Sequence, residues 1–226
     1  MLCGSDVRRA GAIAAIIAVA ASVVALLAGP ALADPSDWAP EPPPGPGETY
    51  VPFADPIRND DSPAPLLPVI TPTPSNWTPK YPYPFEEWRD QVTPADITAE
   101  AELCQWYTSQ FEQLRAQTER LNMHLITANG DWTAPSIPQQ ADAVTANLDR
   151  SLDFITPRVQ TFTIGEDYLG GLFFPLYGSE SFYRLWQQMS NVRDGIKARM
   201  PAWHSGPSFQ QMMRFGSKIE RQHVCD

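Results

Sequence analysis

The sequence predicts an all-α protein: an antiparallel bundle of about four helices with one long N-terminal helix, preceded by a signal peptide and a Pro-rich extended arm. Three observations support this. In four stretches of the second half, apolar residues recur at the spacings of an amphipathic helix. Most of the 24 prolines lie before residue 95, where they exclude helix. Two cysteines, near the two ends of the helical part, suggest that these ends meet.

The N-terminus has the features of an export signal. Arg8 and Arg9 precede an uncharged, alanine-rich segment at 10–28, and a small-x-small cleavage pattern ends at Ala33. We therefore predict cleavage between Ala33 and Asp34. The alternative is an uncleaved membrane anchor, because the apolar segment reaches the lower end of the ~17–25 residues that span a bilayer. Cleavage is favoured because alanine makes the segment only weakly hydrophobic.

The predicted domains are a signal peptide at 1–33, a Pro-rich acidic arm at 34–92 and a helical bundle domain at 93–226. The whole chain has 26 acidic and 16 basic residues and a net charge of −10, and most of the negative excess lies in the arm. Such a chain is repelled by nucleic acid and by anionic membranes. We expect no nucleic-acid partner, and membrane contact only through an uncleaved N-terminal segment.

Prolines at the density found in the arm favour an extended polyproline II conformation. The first half of the arm, rich in proline, glycine and aspartate, fits a solvated spacer. The second half contains more aromatic residues than a spacer needs: Trp77, Tyr81, Tyr83, Phe85 and Trp88. We expect residues 76–92 to pack on the bundle. The alternative is that these aromatic side chains bind a partner.

The first helix is predicted over the proline-free run Ala95–Asn129. Thr93 can cap its first turn, Pro94 suits the first helical position, and Gly130 provides the end. One apolar stripe follows the helix: Ala101, Cys104, Tyr107, Phe111, Leu114, Thr118, Leu121 and Leu125. At ~1.5 Å per residue the helix would be ~50 Å long. We therefore expect it to overhang its shorter neighbours or to be kinked.

Three shorter helices are predicted to follow. The second covers 139–156 and is interrupted by Pro157, the third begins at Ser179 and ends before Pro201, and the fourth covers about 208–224. Each keeps the spacing of three and four between its apolar residues. Together with the long helix they provide the four apolar faces that a bundle needs.

The connection at 168–177, between the second and third helices, is rich in glycine and aromatic residues, including Phe173 and Phe174. Two interpretations are open. The connection can be a loop that covers the core, with glycines that allow sharp turns. It can also be an exposed apolar lip that contacts a lipid, a membrane or a partner protein.

Cys104 and Cys225 are predicted to form a disulfide. Cleavage of the signal peptide would remove Cys3, and the even pair of cysteines that is left in an exported chain is typical of a disulfide. In an antiparallel four-helix order the fourth helix ends near the start of the first. The two cysteines would then lie at the same end of the bundle. The disulfide and the bundle therefore support one another.

Few candidate catalytic or metal-binding groups stand out. The three histidines, His124, His204 and His223, are scattered along the chain. Glu220 and His223 have the spacing used by di-iron bundles, but that chemistry needs a second such pair and two further inward carboxylates. The sequence contains no Gly-x-Ser-x-Gly elbow, phosphate-binding glycine loop or His-Glu-x-x-His motif. We expect no enzyme activity, no cofactor and no metal site.

The segment ending Ala31-Leu32-Ala33-Asp34-Pro35, the Pro-rich arm and the alanine- and tryptophan-rich helical body resemble exported cell-envelope proteins of actinobacteria, in particular mycobacteria. The resemblance covers about residues 1–90. It implies a secreted or cell-envelope location, outside the cytoplasmic membrane.

Three functions are compatible with these observations. The first is an exported, non-enzymatic helical protein that binds or scaffolds an envelope protein. The second is a carrier of a lipid or other apolar small molecule, whose soft lining would comprise Phe173, Phe174, Met189, Met212 and Met213. The third, which applies if the N-terminal segment is not cleaved, is a membrane-anchored accessory subunit.

Overall fold

Helices form most of the part of the chain that the structure, a computed structural model, describes. The described residues are 62–80, 86–166 and 170–226. They belong to one compact unit, Asp55–Asp226. The predicted signal peptide, the cleavage position between Ala33 and Asp34 and the first part of the arm lie outside the described residues.

The long N-terminal helix has three continuous parts. These are α1 (Pro94–Trp106), a π-helical turn (Tyr107–Phe111) and α2 (Glu112–Thr127). Thr93 and Asp96 form a capping box at its start, in which Asp96 N donates to Thr93 Oγ1 and Thr93 N donates to Asp96 Oδ2. The helix therefore begins within one residue of its predicted start.

The π turn is an irregularity that the apolar spacing did not predict. Thr108 Oγ1 donates to Cys104 O at 2.8 Å, and Ser109 Oγ donates to Gln105 O at 2.6 Å. Serine and threonine hydroxyl groups that donate to the carbonyl groups of the preceding turn often bend a helix. A π turn is likewise a local departure from the regular α-helical hydrogen-bond pattern. The turn allows Phe111 to stack on Tyr107, with 5.1 Å between the ring centroids.

The remaining helices are α3 (Ile137–Val159), α4 (Ser179–Ala198), a short α5 (Pro201–His204) and α6 (Pro207–Arg221). A 3₁₀ helix, Glu86–Gln91, precedes the long helix. The three predicted shorter helices correspond to α3, α4 and α6. The described residues are thus mostly helical and contain four main helices, as predicted.

The prediction that Pro157 interrupts the second helix was wrong, since α3 includes Pro157 and continues to Val159. Pro157 lies in the last turn, where it removes a single bond to the carbonyl of the exposed residue Asp153. Val159 is completely buried. Burial of its side chain offsets the lost hydrogen bond and keeps the last turn helical.

Two short strands lie between α3 and α4, one just before the connection at 168–177 and one within it. β1 (Gly165–Glu166) and β2 (Leu172–Phe173) pair antiparallel, with Gly165 opposite Phe173. Tyr168, in the predicted apolar lip, lies outside the described residues. The described part of this connection is therefore a small hairpin.

Side-chain contacts between the long helix and α3 show that these two helices are antiparallel. As residue numbers rise along the long helix, those of the partners in α3 fall. The pairs are Glu102 with Arg158, Gln117 with Asn147, and His124 with Gln140. The order of these pairs is what a short connection between neighbouring helices requires.

The same reversal continues around the bundle. The pairs between α3 and α4 are Asp149 with Lys197 and Thr156 with Trp186. At the other end of α4, Glu180 pairs with Lys218 of α6, and Ser181 with Gln222 just after α6. Tyr107 OH donates to Gly216 O of α6 at 2.8 Å, so α6 lies next to the long helix and the circle of four helices is closed. The four main helices therefore surround one core in an up-down-up-down arrangement.

All four main helices contribute completely buried side chains to the core. Among the largest are Trp106, Leu114, Leu148, Phe182, Met189 and Ile219. Most of the predicted stripe of the long helix is buried, although Ala101 and Tyr107 remain partly exposed. A second face of that helix is buried as well, because it is covered by the proline-rich segment.

We call this segment, residues 62–80, the strap. It contains neither regular helix nor strand, and its buried positions Ala64 and Leu67 are followed by the half-buried Ile70. A spacing of three residues is the repeat of polyproline II. Trp77 also packs on the core. The packed part begins at Ala64, earlier than the predicted position after Asn76.

The Sγ atoms of Cys104 and Cys225 are bonded at 2.11 Å, and their Cα atoms are 5.2 Å apart. This confirms the predicted disulfide. It joins α1 to the residues that follow α6, 121 positions later. Across the helices that the structure describes, none combines the length and the apolar character needed to cross a membrane.

Candidate functional site

An open cleft of about 260 Å³ lies where the hairpin meets the bundle. Trp88 of the 3₁₀ helix and Phe173 of β2 form one wall, with ring centroids 4.7 Å apart and planes inclined by 27°. The Phe173 ring lies over Gly165, where an added Cβ would be 2.3 Å from Phe173 Cζ. The hairpin therefore depends on this glycine to hold the aromatic wall in place.

The opposite side of the cleft is polar. Glu180 of α4 and Lys218 of α6 have their charged atoms 3.7 Å apart. Ser181 Oγ donates to Gln222 Oε1 at 2.9 Å. An amide cannot take up the serine proton as a general base does, so this pair is not an activated nucleophile. An apolar wall with a polar rim is suited to binding another surface.

Several predicted contact residues come together here and others do not. Trp88 and Phe173 form the cleft wall. Phe174 also borders the cleft, although most of its side chain is buried, with its ring 5.2 Å from that of Tyr183. Trp77 is half-buried on the core, away from the residues that line the cleft. Tyr81, Tyr83 and Phe85, the other predicted contacts in the arm, lie outside the described residues.

Two buried carboxyl groups, Asp96 and Glu100, were not predicted. Asp96 Oδ1 accepts from the Thr163 backbone N–H at 2.6 Å, in addition to the capping bonds with Thr93. Glu100 is completely buried, and its Oε2 accepts from Ser179 Oγ at 3.0 Å. The spacing Asp96, Glu100, Cys104 places all three on one helix face, which is a signal that could have revealed them.

The pKa of Glu100 is raised well above its usual range, mainly because burial disfavours the charged form. The hydrogen bond from Ser179 lowers the pKa in part, and the nearby charge of Asp96 adds to the increase. Glu100 Oε1 has no hydrogen-bond partner. The space beside Glu100 is lined by Lys80, Tyr177 and Val224 among others and leaves no volume for a water molecule. Glu100 is therefore part of the packing between α1 and α4, with no room for a ligand.

The three histidines lie apart and have different partners. His124 Nδ1 contacts Gln140 Oε1, His204 Nδ1 contacts Asn122 Oδ1, and His223 Nδ1 contacts Asp226 Oδ2. Burial lowers the pKa of His204, which favours its neutral form. In residues 62–80, 86–166 and 170–226, no group of three or more His, Cys, Asp or Glu side chains could hold a metal ion.

The cleft at the hairpin is thus the candidate binding site. Glu100 and His204 are buried in the bundle, His124 is partly buried, and His223 is exposed. In comparisons with known proteins, no family model, no curated protein and no solved structure matches this chain.

Proposed function

We propose that this chain is an exported, non-enzymatic helical protein that binds or scaffolds an envelope protein outside the cytoplasmic membrane. The observation that carries the proposal is the bond between Cys104 and Cys225. Disulfides persist in oxidising compartments and are rare in the cytosol. Together with the predicted export signal that ends at Ala33, the disulfide supports a location beyond the membrane.

The cleft supports the binding role. Leu172, next to Phe173 on the hairpin, is 43% exposed, so the aromatic wall continues into an apolar side chain at the surface. The charged pair Glu180 and Lys218 lies at its rim. A central aromatic contact surrounded by polar groups is the arrangement found at energetically important parts of protein interfaces.

The interior favours this role over that of a lipid carrier. Met189 and Met212, two of the side chains proposed to line a ligand cavity, have no exposed surface and lie within the hydrophobic core. Their flexible side chains therefore already fill the space between the helices. A bound lipid would have to displace them.

The test is expression of the full chain with a C-terminal tag in an actinobacterial host, followed by fractionation, cross-linking and native mass spectrometry. We expect a processed protein that begins at Asp34 and a complex with an envelope protein. Trp88→Ala should weaken that complex at least tenfold. Trp203→Ala is the matched control, because Trp203 is an exposed tryptophan in α5, near the C-terminal end of α4.

Other outcomes would contradict the proposal in distinguishable ways. A full-length species retained in the membrane would support the anchored accessory subunit. Lipid that co-purifies with the processed protein would support the carrier. Equal loss of the complex in the Trp88 and Trp203 variants would show that the cleft is not the interface.

A further inference from the structure

The backbone of the strap is held by polar side chains from two helices. Asn147 of α3 contacts it on both sides of one residue: its Oδ1 accepts from Leu67 N at 2.8 Å, and its Nδ2 donates to Pro65 O at 2.9 Å. Gln117 Nε2 of α2 donates to the same Pro65 oxygen at 3.1 Å. Asn147 Nδ2 also donates to Gln117 Oε1 at 2.7 Å, which keeps both amides in position.

Three more side chains extend this contact along the strap. Gln110 Nε2 donates to Pro68 O at 2.5 Å and Arg150 Nη1 to Leu67 O at 3.0 Å. Gln105 makes a matched pair of 3.0 Å bonds with the backbone N–H and C=O of Thr73. We call the site formed by Gln105, Gln110, Gln117, Asn147 and Arg150 the amide groove.

The amide groove is suited to a polyproline II segment. Such a segment has no internal hydrogen bonds, so its carbonyl groups are available to a partner. Asn147 is completely buried, and Gln110 and Gln117 are buried as well. A buried amide without a partner costs about 1–3 kcal/mol. With a peptide in the groove, each of these buried amides needs a partner, so the groove favours a peptide whose backbone N–H and C=O groups meet them over one that leaves an amide unpaired.

Side-chain burial indicates which peptides fit. Leu67 is 3% exposed and points into the protein, whereas Leu66 and Val69 are 54% and 78% exposed. The residue at position 67 must also carry an N–H for Asn147, so proline cannot occupy it. Pro65 and Pro68, on either side of Leu66 and Leu67, contribute only carbonyl groups. The groove thus requires an apolar residue other than proline at the position of Leu67 and tolerates proline at the next position, that of Pro68.

We propose that the amide groove is a polyproline II binding site that accepts residues 62–74 from a second copy of this chain in place of its own strap. A second copy carries the same residues at the same spacing, and reciprocal exchange fills both grooves with the same contacts. The described disulfide joins Cys104 to Cys225, so it does not tie the strap to the helices. The inference does not depend on export or on the hairpin cleft.

The first test uses the full chain with a protease site inserted between the exposed residues Ser75 and Asn76. After folding and cleavage, a fluorescent synthetic peptide of residues 62–74 is added and its polarisation is followed. We expect saturable binding and release of the cleaved N-terminal fragment. A peptide with Leu67→Pro should bind at least tenfold more weakly, because it loses the buried side chain and the N–H. A peptide with Val69→Ser should bind within threefold of the wild type.

The second test mixes two uncleaved populations of the chain that carry different fluorophores, at high micromolar concentration. We expect energy transfer and a dimer by size exclusion, both lost in Asn147→Ala and retained in Val69→Ser. Helix content shows whether Asn147→Ala folds. If it does not, the comparison of the Leu67→Pro and Val69→Ser peptides on the wild-type helical domain decides whether the groove binds peptides.

Each opposite result overturns part of the proposal. Absence of saturable peptide binding, or equal binding of the Leu67 and Val69 peptides, would show that the groove is not a peptide site. Peptide binding without transfer between intact copies would exclude a second copy as the occupant.

Discussion

Ser179 Oγ donates a 3.0 Å hydrogen bond to Oε2 of Glu100, a carboxyl group that has no exposed surface. The other carboxyl oxygen, Oε1, has no partner. One hydrogen bond does not replace the hydration that an ionised carboxylate loses on burial, so the neutral acid is favoured. Glu100 therefore links the stability of the contact between α1 and α4 to pH.

The first prediction is that Glu100→Gln stabilises the protein at neutral pH. The pKa of Glu100 is raised in the folded state above its ordinary value of 4.5. The stability contributed by the protonated acid is fully present below about pH 4.5 and is lost as pH rises through the folded-state pKa. The glutamine variant stays neutral, and its side-chain oxygen can still accept from Ser179. We expect a higher melting temperature than wild type at pH 7 and little difference at pH 4.

Thermal melts between pH 4 and pH 8 check this prediction. A gain of about 1 kcal/mol corresponds to roughly 2–4 °C for a protein of this size. Glu119→Gln is the control, because Glu119 is an exposed acid on α2. A Glu100→Gln variant that melts below wild type at pH 7 would contradict the prediction.

The second prediction concerns Gly216 on α6, against which the Phe111 ring packs. A Cβ at Gly216 would lie only 2.1 Å from Phe111 Cζ. Gly216→Ala should therefore destabilise the protein by about 1–3 kcal/mol through overpacking, although alanine is favoured over glycine in helices by about 1 kcal/mol. Urea unfolding measures the difference. Ser217→Ala, at the next position, should change the free energy of unfolding by less than about 0.5 kcal/mol. A Gly216→Ala variant as stable as wild type would show that Phe111 moves aside freely.

The third prediction is that Cys225→Ser lowers thermal stability and leaves most of the helix content. The disulfide closes a loop with a sequence separation of 121, for which the chain-entropy model gives up to about 4–5 kcal/mol, with typical measured values of about 2–4. The apolar faces of the four helices do not depend on the bond. Circular dichroism on heating provides both quantities. Two free thiols in the native, processed protein would exclude the disulfide.

The fourth prediction is the pattern of limited proteolysis. Residues 64–73 should resist cleavage and the exposed Ser75 and Asn76 should be cut first, because backbone held by buried groups opens rarely. Asn147→Ala should expose residues 64–73 to cleavage at a rate at least tenfold higher. Asn191→Ala, which changes a partly exposed asparagine on α4, is the control. Early cutting inside 64–73 in the wild type would contradict the role of Asn147.

Much of the helical architecture was predictable because its causes are local. The capping box formed by Thr93 and Asp96 and the spacing of apolar residues act within a few positions of the chain. The disulfide was also predictable, since antiparallel order brings Cys104 and Cys225 together. Pro157 was misjudged because the burial of Val159, a tertiary effect, outweighs a local preference.

The sequence by itself determined the helical class and the four main helices, because helical periodicity and caps depend on near neighbours. It also determined the pairing of Cys104 with Cys225, because the antiparallel order of those helices brings the two ends of the bundle domain together. Only the tertiary structure decided the sites. Leu67 and Asn147 are 80 positions apart, and Glu100 and Ser179 are 79 apart. Trp88 meets Phe173 only because the hairpin folds onto the bundle. Such contacts depend on how the helices pack against one another, and that packing is a property of the whole fold.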